Sequence, residues 1–389
     1  MKTLTKMSML ALLLASFTAQ ADDSCKLTVW EAPSRAQSLS DIVKTFKQDT
    51  NCTVEIKEID IKKQLSMMNH LSETQGNTPD VFIIEGDRIN VAKSKDLIAP
   101  STYMAKNYKK YLDLAREQVQ VDGEYYAIPR SVETYLVYYN RDLIEYPLED
   151  LNAYIKLNEE MMAKGKYGLV TKLDDFYTAY TFLGTEHSSI IDHEHLNVNG
   201  KDISRKVSFL QKYAQNYIPA EVLKPNGWEV IDTMFKDGKI AAVISNASNF
   251  SEYAQSGVNY GVAALPLSSD GKSLTPFYNT YNYAVSSKSK RKNMAELFIS
   301  YINSPSNAYD RYLQTAELTP INDLLNSDLI VNDDFSSALF AQVEKANSIP
   351  SDRHMDQVAD VMSTALHHIE AEGYNTDTTF NSAISDLQF

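Results

Sequence analysis

Charged side chains follow an apolar run in the segment TPDVFIIEGDRI, which spans Thr78 to Ile89. The run Val81–Ile84 has the composition of a buried strand, and Asp87 and Arg88 come shortly after it. A carboxylate and a guanidinium at the end of a strand can form a catalytic pair, help to hold a metal ion, or hydrogen-bond a bound molecule. The elements that carry these residues decide between the three possibilities.

A second pair of opposite charges, Arg130 and Glu133, lies within the strand-like segment YYAIPRSVETYLVYYN. A buried charge is costly unless it is paired or solvated, so this pair favours the floor of a cleft. Arg35 follows the first predicted strand, in KLTVWEAPSR. Open α/β sheets bind ligands outside the carboxyl ends of their strands, so we expect Arg35 and Asp87 at one edge of one sheet.

The elements at the start of the chain alternate between strand and helix. KLTVW, TVEIKEI and DVFII predict strands, and the apolar spacing in the segments between them predicts two amphipathic helices. DVFII is apolar on both faces, as a buried parallel strand should be. This β-α-β-α-β order predicts a doubly wound α/β sheet with right-handed crossovers.

A second α/β set follows, with strands predicted at YGLVT, KIAAVI, NYGVAALP and FYNTYNYAVSS. The helix predicted in KLDDFYTAYTFLG begins near Asp175 and Tyr177, and the final third of the chain is mostly helical in pattern. The chain has 389 residues, which is more than one hydrophobic core usually serves, so two domains are expected.

The first 21 residues have the pattern of an export signal. Two lysines precede a short apolar run, and Ala19-Gln20-Ala21 predicts cleavage after Ala21. The remaining chain has no apolar segment long enough for a membrane helix, so a soluble protein exported to the periplasm is expected. Its net charge moves from −14 to −16 when Lys2 and Lys6 are removed, which argues against nucleic acid as a partner.

Two cysteines occur, Cys25 and Cys52, and each directly precedes a predicted strand. In an oxidising compartment such a pair favours a disulfide over free structural thiols. Neighbouring parallel strands begin at the same edge of a sheet, so a bridge at this place is geometrically reasonable. A redox role has little support, because the chain has no Cys-x-x-Cys motif.

Five segments together resemble the extracellular solute-binding proteins of ABC importers, in the branch that includes maltose-binding protein. They are KLTVW, TPDVFIIEGDR, GEYYAIPRSVETYLVYYNRDLI, MFKDGKIAAVISN and VNYGVAALP, in the family's order and at its approximate spacing. The resemblance implies the type II periplasmic binding protein fold, in which two α/β lobes are joined by crossing segments. Lobe one is expected at 22–131 with 282–330, lobe two at 136–276 with 335–389, and hinges at 132–135, 277–281 and 331–334.

The resemblance also implies a set of ligand-binding positions. Asp87 and Arg88 match the family's acidic-basic pair, Glu133 matches its interlobe glutamate, and Asp175 with Tyr177 matches a glutamate and a tyrosine of the second lobe. The full set of predicted ligand-binding residues is Arg35, Asp87, Arg88, Arg130, Glu133, Asp175, Tyr177, Trp228, Asn246 and Tyr278.

The sequence also departs from the family's pattern. Asn246, Ala247 and Ser248 stand where the family often has Gly-Pro-Trp, and Ile84 stands where it has a tryptophan in the first lobe. These losses of sugar-stacking rings argue against maltodextrin as the ligand. Trp228, Tyr278 and other tyrosines remain as possible platforms for a sugar ring.

Three other interpretations of these residues were open. Asp87 and Glu133 could be a glycosidase pair, although the resemblance favours binding. Arg35, Arg88 and Arg130 could hold an anionic sugar, although neutralisation by Asp87 and Glu133 is favoured. The segment DHEHLN could hold a metal, but its polar context favours a surface loop.

The sequence therefore predicts a periplasmic protein that binds a carbohydrate reversibly and delivers it to an ABC permease. We expect a monomer that is not an enzyme, without cofactor or metal. A sensing protein that docks on a chemoreceptor or sensor kinase is the first alternative. A periplasmic carbohydrate-active enzyme is the second.

Overall fold

The computed structural model describes residues 25–33, 35–185, 191–192, 195–196, 201–352 and 354–387. The predicted export signal with its cleavage site after Ala21 lies outside the described residues, as does part of the DHEHLN segment. Within the described part of the chain, no helix combines the length and the apolar character that crossing a membrane requires.

The strands and helices alternate along most of the chain. The strands are β1 Lys26–Glu31, β2 Thr53–Glu58, β3 Val81–Glu85, β4 Gln120–Val121, β5 Glu124–Tyr125, β6 Ile128–Asn140, β7 Tyr167–Val170, β8 Ile191–Asp192, β9 His195–Leu196, β10 Ile240–Asn246, β11 Tyr260–Ala263, β12 Phe277–Val285 and β13 Asn347–Ser348. The α-helices are α1 Ser40–Thr50, α2 Ile61–Glu73, α3 Ile89–Ser94, α4 Thr102–Asn107, α5 Asp113–Gln118, α6 Leu151–Met162, α7 Phe176–Leu183, α8 Lys201–Tyr217, α9 Gly227–Lys236, α10 Phe250–Gln255, α11 Lys292–Ile302, α12 Pro305–Thr315, α13 Asn322–Leu325, α14 Asp328–Val331, α15 Asp334–Val343, α16 Met355–Glu370 and α17 Thr376–Asp386.

The central sheet runs in the order β2-β1-β3-β12-β6-β10-β7, with β11 also paired to β6 and β13 to β12. Strand β1 pairs in parallel with both β2 and β3, as the β-α-β-α-β pattern predicted. Cys25 and Cys52 directly precede the first register pair of β1 and β2, and they form a disulfide with their Cα atoms 4.5 Å apart. The predicted bridge is therefore confirmed.

Strand β6 is shared by two groups of strands. The first group lies on the β1-β2-β3 side, and the second group lies on the β7-β10-β11 side. Its first half pairs with β12, up to the register pair Thr134–Tyr278. From Tyr135 onward it pairs instead with β10 and β11, beginning at Tyr135–Asn246. The backbone thus passes from one group to the other between Thr134 and Tyr135, which places the neighbouring side chain of Glu133 at the junction.

The helices pack on one group or the other. Helix α11 packs against β12, α1 and α4, whereas α16 packs against α7 and α8, and α17 against α8. Helix α15 lies against β6 and β11. The residue boundaries given above for the lobes and hinges stay predictions.

Candidate functional site

A cavity of about 770 Å³ lies between the two groups and is called the cleft below. Side chains from β3, the middle of β6, the start of α7, the end of β10 and β12 reach it. Its polar and aromatic lining residues include Lys62, Glu85, Asp87, Arg88, Glu133, Tyr135, Asp175, Tyr177, Asn246, Phe277, Asn279, Tyr281 and Asp356. Of the predicted ligand-binding residues, it brings together Asp87, Arg88, Glu133, Asp175, Tyr177 and Asn246.

The first wall of the cleft is the turn that follows β3. Asp87 is 6% exposed, and its Oδ1 accepts a hydrogen bond of 2.9 Å from the Asn279 amide. Its Oδ2 lies 3.2 Å from Nε of Arg88. Burial raises the pKa of Asp87, although the adjacent Arg88 acts in the opposite direction. The carboxylate is held in place while it still faces the cavity.

Arg88 also reaches across to the second group. Its Nη1 donates a 2.6 Å hydrogen bond to Oδ2 of Asp356, and its Nη2 bonds the other carboxylate oxygen. This guanidinium lowers the pKa of Asp356, which lies at the start of α16. The two groups are also joined where Ser351 Oγ donates to the backbone oxygen of Asp87 at 2.9 Å. These contacts close the cleft at one side.

The floor of the cleft carries two carboxyl groups without close partners. Within the described part of the chain, the carboxyl oxygens of Glu85 and Glu133 accept no hydrogen bond from a side chain or from a backbone N–H. Burial raises the pKa of Glu133 to about 8, and the nearby Glu317 acts in the same direction. Burial and the charge of Asp87 raise the pKa of Glu85 to about 7. The positive charges of Arg88 and Lys62 lower the pKa of Glu85, and those of Arg130 and Arg35 lower the pKa of Glu133. Burial outweighs these charges in both groups.

The second wall begins at α7 and β10. Asp175 caps α7, because its Oδ1 accepts hydrogen bonds from the backbone N–H and the hydroxyl of Thr178 at 2.9 and 3.0 Å. Asn246 ends β10, where its Oδ1 accepts from the Ser248 N–H at 2.9 Å. Both side chains thus keep their positions through local caps that Asp and Asn commonly form. Their remaining polar atoms are available to a bound molecule.

Strand β12 contributes alternate residues to the cleft. Phe277, Asn279 and Tyr281 line it, as the two-residue period of a strand requires. Tyr278 is on the opposite side, 6% exposed, with its hydroxyl 3.4 Å from the Leu114 oxygen. The expectation that Tyr278 stacks on a ligand does not fit this placement, and Tyr281 takes its place in the lining.

Arg130 is part of a buried ion network beneath the cleft. Its side chain is 1% exposed, with Nη2 at 2.9 Å from Glu31 Oε1 and 2.7 Å from Glu317 Oε2. Tyr283 completes the network by donating a 2.6 Å hydrogen bond to Glu31. The expectation that Arg130 touches a ligand does not fit this burial, since its partners are carboxylates of the core rather than Glu133.

Two further predicted residues lie outside the cleft. Arg35 lines a separate small cavity together with Glu133 and Ser248, and its Nε donates to Glu317 at 3.2 Å. Trp228 is half-buried at the start of α9 and packs against the hydrophobic core. Neither side chain is among those that line the cleft.

Sequence reasoning missed several residues that the fold brings to this region. Asn279 and Phe277 follow from the period of β12 once one facing residue is known, and Tyr135 is two residues beyond Glu133 on β6. Asp356 comes from the start of α16 and Glu317 from the loop after α12, and no local pattern singles them out. Three-dimensional pairing is the only signal that could have found them.

A second cavity of about 720 Å³ lies in the second group, between α7, α8 and the segment from Ser268 to Thr275. None of the predicted site residues lines it, and it borders residues outside the described part of the chain. Among the described residues, no group of three or more His, Cys, Asp or Glu side chains is placed to hold a metal ion. The cleft is therefore the candidate site.

The arrangement can hold a polar molecule of several rings. The exposed carboxyl and amide atoms provide hydrogen-bond acceptors and donors on three sides. The rings of Tyr177 and Phe277 meet edge to face with centroids 6.1 Å apart, and they add an apolar surface beside the polar groups. Such a combination of aromatic faces and a few convergent polar groups is typical of small-molecule sites.

Comparisons with known proteins agree with this geometry. A model of the family described as bacterial extracellular solute-binding protein matches residues 41–336. The galactooligosaccharide-binding protein of Bacillus subtilis is 24% identical over 91% of this chain and 87% of its own length. The maltodextrin-binding protein of the same organism is 27% identical over 95% of this chain and 91% of its own length.

A solved structure shares the fold. The maltose-binding periplasmic protein of Listeria monocytogenes, in complex with maltose, superposes with a TM-score of 0.84 at 23% identity, over 94% of this chain and 97% of that chain. This likeness confirms the predicted α/β fold of the periplasmic binding proteins. The family match covers well over half of the chain, so this protein belongs to the bacterial extracellular solute-binding proteins.

Proposed function

We propose that this protein captures a carbohydrate, such as an oligosaccharide, in the periplasm and delivers it to the permease of an ABC importer. The observation that carries the proposal is the cleft of about 770 Å³, to which both groups contribute hydrogen-bonding and aromatic side chains. The family and the two oligosaccharide-binding relatives point in the same direction.

Asp87, Glu133 and Asp175 are suited to accept hydrogen bonds from sugar hydroxyls. Asn246 and Asn279 add side-chain amides, which both donate and accept. Hydrogen bonds to ionised acceptors are stronger than those between neutral groups, so Asp87 contributes most where it remains charged. Tyr177, Phe277 and Tyr281 offer their faces to the apolar C–H groups of a sugar ring.

Opening and closing of the two groups would admit and hold the ligand. The chain crosses between them in β6, near Thr134, and the pair Arg88–Asp356 lies at the other side of the cleft. A ligand that contacts both walls binds the closed form better, and this difference in affinity drives closure. The closed monomer then presents a surface that the permease recognises.

The proposed chemistry is reversible binding without turnover. Asp87 is committed to Arg88 and Asn279, which suits it to hold a hydroxyl rather than to exchange protons with a reacting bond. Purified protein incubated overnight with a bound, labelled oligosaccharide should return the oligosaccharide unchanged. A shorter or transglycosylated product would identify an enzyme instead.

The binding proposal is tested by a thermal-shift screen of the mature protein against neutral and charged mono- and oligosaccharides. A ligand at about 100 times its dissociation constant stabilises the protein by about 2.7 kcal/mol, which raises the midpoint by a few degrees. The same ligand should lose this effect with Asp87→Ala and keep it with Glu145→Gln, a change at an exposed carboxyl remote from the cleft. A complete panel without any shift would contradict the proposal.

A further inference from the structure

The charges that line the cleft are unevenly matched. Five carboxyl groups and three cationic groups line it: Glu85, Asp87, Glu133, Asp175 and Asp356 against Lys62, Arg88 and Lys95. Arg88 is engaged by Asp87 and Asp356, and Lys62 and Lys95 are exposed, so water screens their charges. The described lining therefore carries more carboxyl groups than cationic groups.

The arginines that could have favoured an anionic ligand are all engaged with protein carboxylates. Arg130 is bound by Glu31 and Glu317, and Arg35 by Glu317 as well. Breaking these pairs for a ligand would leave buried carboxylates without partners. The geometry thus disfavours an acidic or sulfated sugar.

Glu85 and Glu133 stand apart from the other carboxyl groups of the cleft. Each carboxyl lines the cavity without a hydrogen bond from any described residue, and the charge of Glu85 raises the pKa of Glu133. One oxygen of Asp175 is engaged in its helix cap, and both oxygens of Asp356 bind Arg88. A pair of unpartnered carboxyls on one cleft floor has the chemistry of a receptor for a positive charge.

We propose that the cleft prefers an amino sugar, a carbohydrate whose ammonium group lies against Glu85 and Glu133. The inference rests on the proposed function and names the class of its ligand. An ammonium group supplies three donors and one positive charge, so it can pair with a carboxyl that has no hydrogen bond from the protein. A hydroxyl donates a single hydrogen bond and brings no charge. Burial is the main cause of the raised pKa of both groups, and an adjacent ammonium would favour their ionised forms.

The test compares two oligosaccharides that differ only at nitrogen. Isothermal titration calorimetry at pH 7 measures the binding of a glucosamine oligosaccharide with free amines and of its fully N-acetylated counterpart, which has the same rings and linkage. A maltooligosaccharide of equal length is the neutral reference. We expect the free amine to bind at least about tenfold more tightly than either neutral sugar, and the preference to shrink as salt is raised.

Matched variants assign the preference to its residues. Glu85→Gln and Glu133→Gln keep the shape and the hydrogen-bonding capacity of each side chain but remove its charge, and each should reduce the preference about tenfold. Glu145→Gln removes an exposed charge outside the cleft and should leave the preference unchanged. Melting curves of all variants show whether they remain folded, and either cleft variant alone suffices for the comparison.

Three results would overturn the inference. Neutral sugars that bind as tightly as the amine, or tighter, would leave the proposed function intact and remove the amino-sugar preference. A preference that survives both Gln variants would assign it to other groups. Absence of binding by every carbohydrate tested would overturn the proposed function itself, and with it this inference.

Discussion

Two sets of acidic and basic residues lie within the same junction of the fold, and they differ in how their charges are partnered. In the ion network below the cleft, Arg130 is enclosed by Glu31 and Glu317, and Tyr283 adds a further hydrogen bond. On the cleft floor, the carboxyl groups of Glu85 and Glu133 receive no hydrogen bond from the described residues. The same types of side chain thus stabilise the fold in one place and remain available to a ligand in the other.

The difference arises from the position of each residue relative to the sheet. Glu31 ends β1 and Arg130 lies near the start of β6, so their side chains meet inside the first group. Glu133 is only three residues beyond Arg130, which directs it to the junction where the pairing of β6 changes. Neighbouring charges on one strand can therefore have separate roles, and sequence proximity does not make them partners.

The largest effect is expected when the ion network is broken. Arg130→Met leaves Glu31 buried without its cation and leaves Glu317 paired with Arg35, and removing one partner of a buried pair costs about 3–5 kcal/mol. Urea denaturation should show this loss, while Arg141→Ala, at a half-exposed arginine, should change stability by less than about 0.5 kcal/mol. A decrease of less than about 1 kcal/mol in the free energy of unfolding of Arg130→Met would contradict the structural role assigned to the ion network.

For the charged wall of the cleft, we expect a substitution to lower the affinity for the ligand more than the stability of the fold. Asp87→Ala removes an acceptor that faces the ligand and also leaves Arg88 paired with Asp356, so affinity should fall about 10²-fold. Stability should fall by less than it does for Arg130→Met. Titration calorimetry with the ligand found in the screen measures the first effect, and urea denaturation the second. Unchanged affinity would remove Asp87 from the site.

Stability measured over a series of pH values distinguishes the carboxyls of the cleft floor from those of the ion network. The pKa of Glu133 is raised to about 8 in the folded protein from 4.5, so ionisation opposes folding. Its stabilising contribution is full below about pH 4.5 and is lost as the pH rises through about 8. Since water in the cleft weakens the effect, we expect Glu133→Gln to gain on the order of 2 kcal/mol over the wild type between pH 5 and pH 9.

One control and one contrary outcome sharpen this prediction. Glu145→Gln, at an exposed carboxyl, should follow the wild-type curve at every pH. A Glu133→Gln curve parallel to that of the wild type would mean that the carboxyl keeps an ordinary pKa. Glu133 would then resemble the partnered carboxylates of the network, and the contrast between the two sets would disappear.

The smallest effect concerns the aromatic side chains. Tyr177→Ala removes a ring that lines the cleft and should weaken binding about tenfold. Tyr278→Phe changes a ring on the other side of β12 and should leave affinity unchanged, because only its hydroxyl contacts with Leu114 and Ser348 are lost. Equal effects of the two substitutions on the dissociation constant would contradict the assignment of faces along β12.

The local features of this site could be predicted from the sequence, whereas the pairing of residues distant in the chain could not. Apolar runs and strand ends depend on nearby residues, so β3, β6 and the positions of Asp87 and Glu133 followed from the pattern. The partner of Arg130 is 99 residues away in Glu31, and no periodicity connects the two. Tyr278 was chosen without knowledge of which face of β12 is turned to the cleft, and the strand period places Tyr281 there instead.

The central claim is tested most directly by a crystal structure of the protein with the carbohydrate identified in the screen. We predict sugar hydroxyl or amino groups within about 2.6–3.2 Å of the carboxylates of Asp87 and Glu133, the distance range of hydrogen bonds. Arg130 should remain bound to Glu31 and Glu317 as it is here. A ligand that contacts Arg130, or that lies in the second cavity beside α8, would contradict the division between the binding carboxyls and the structural network.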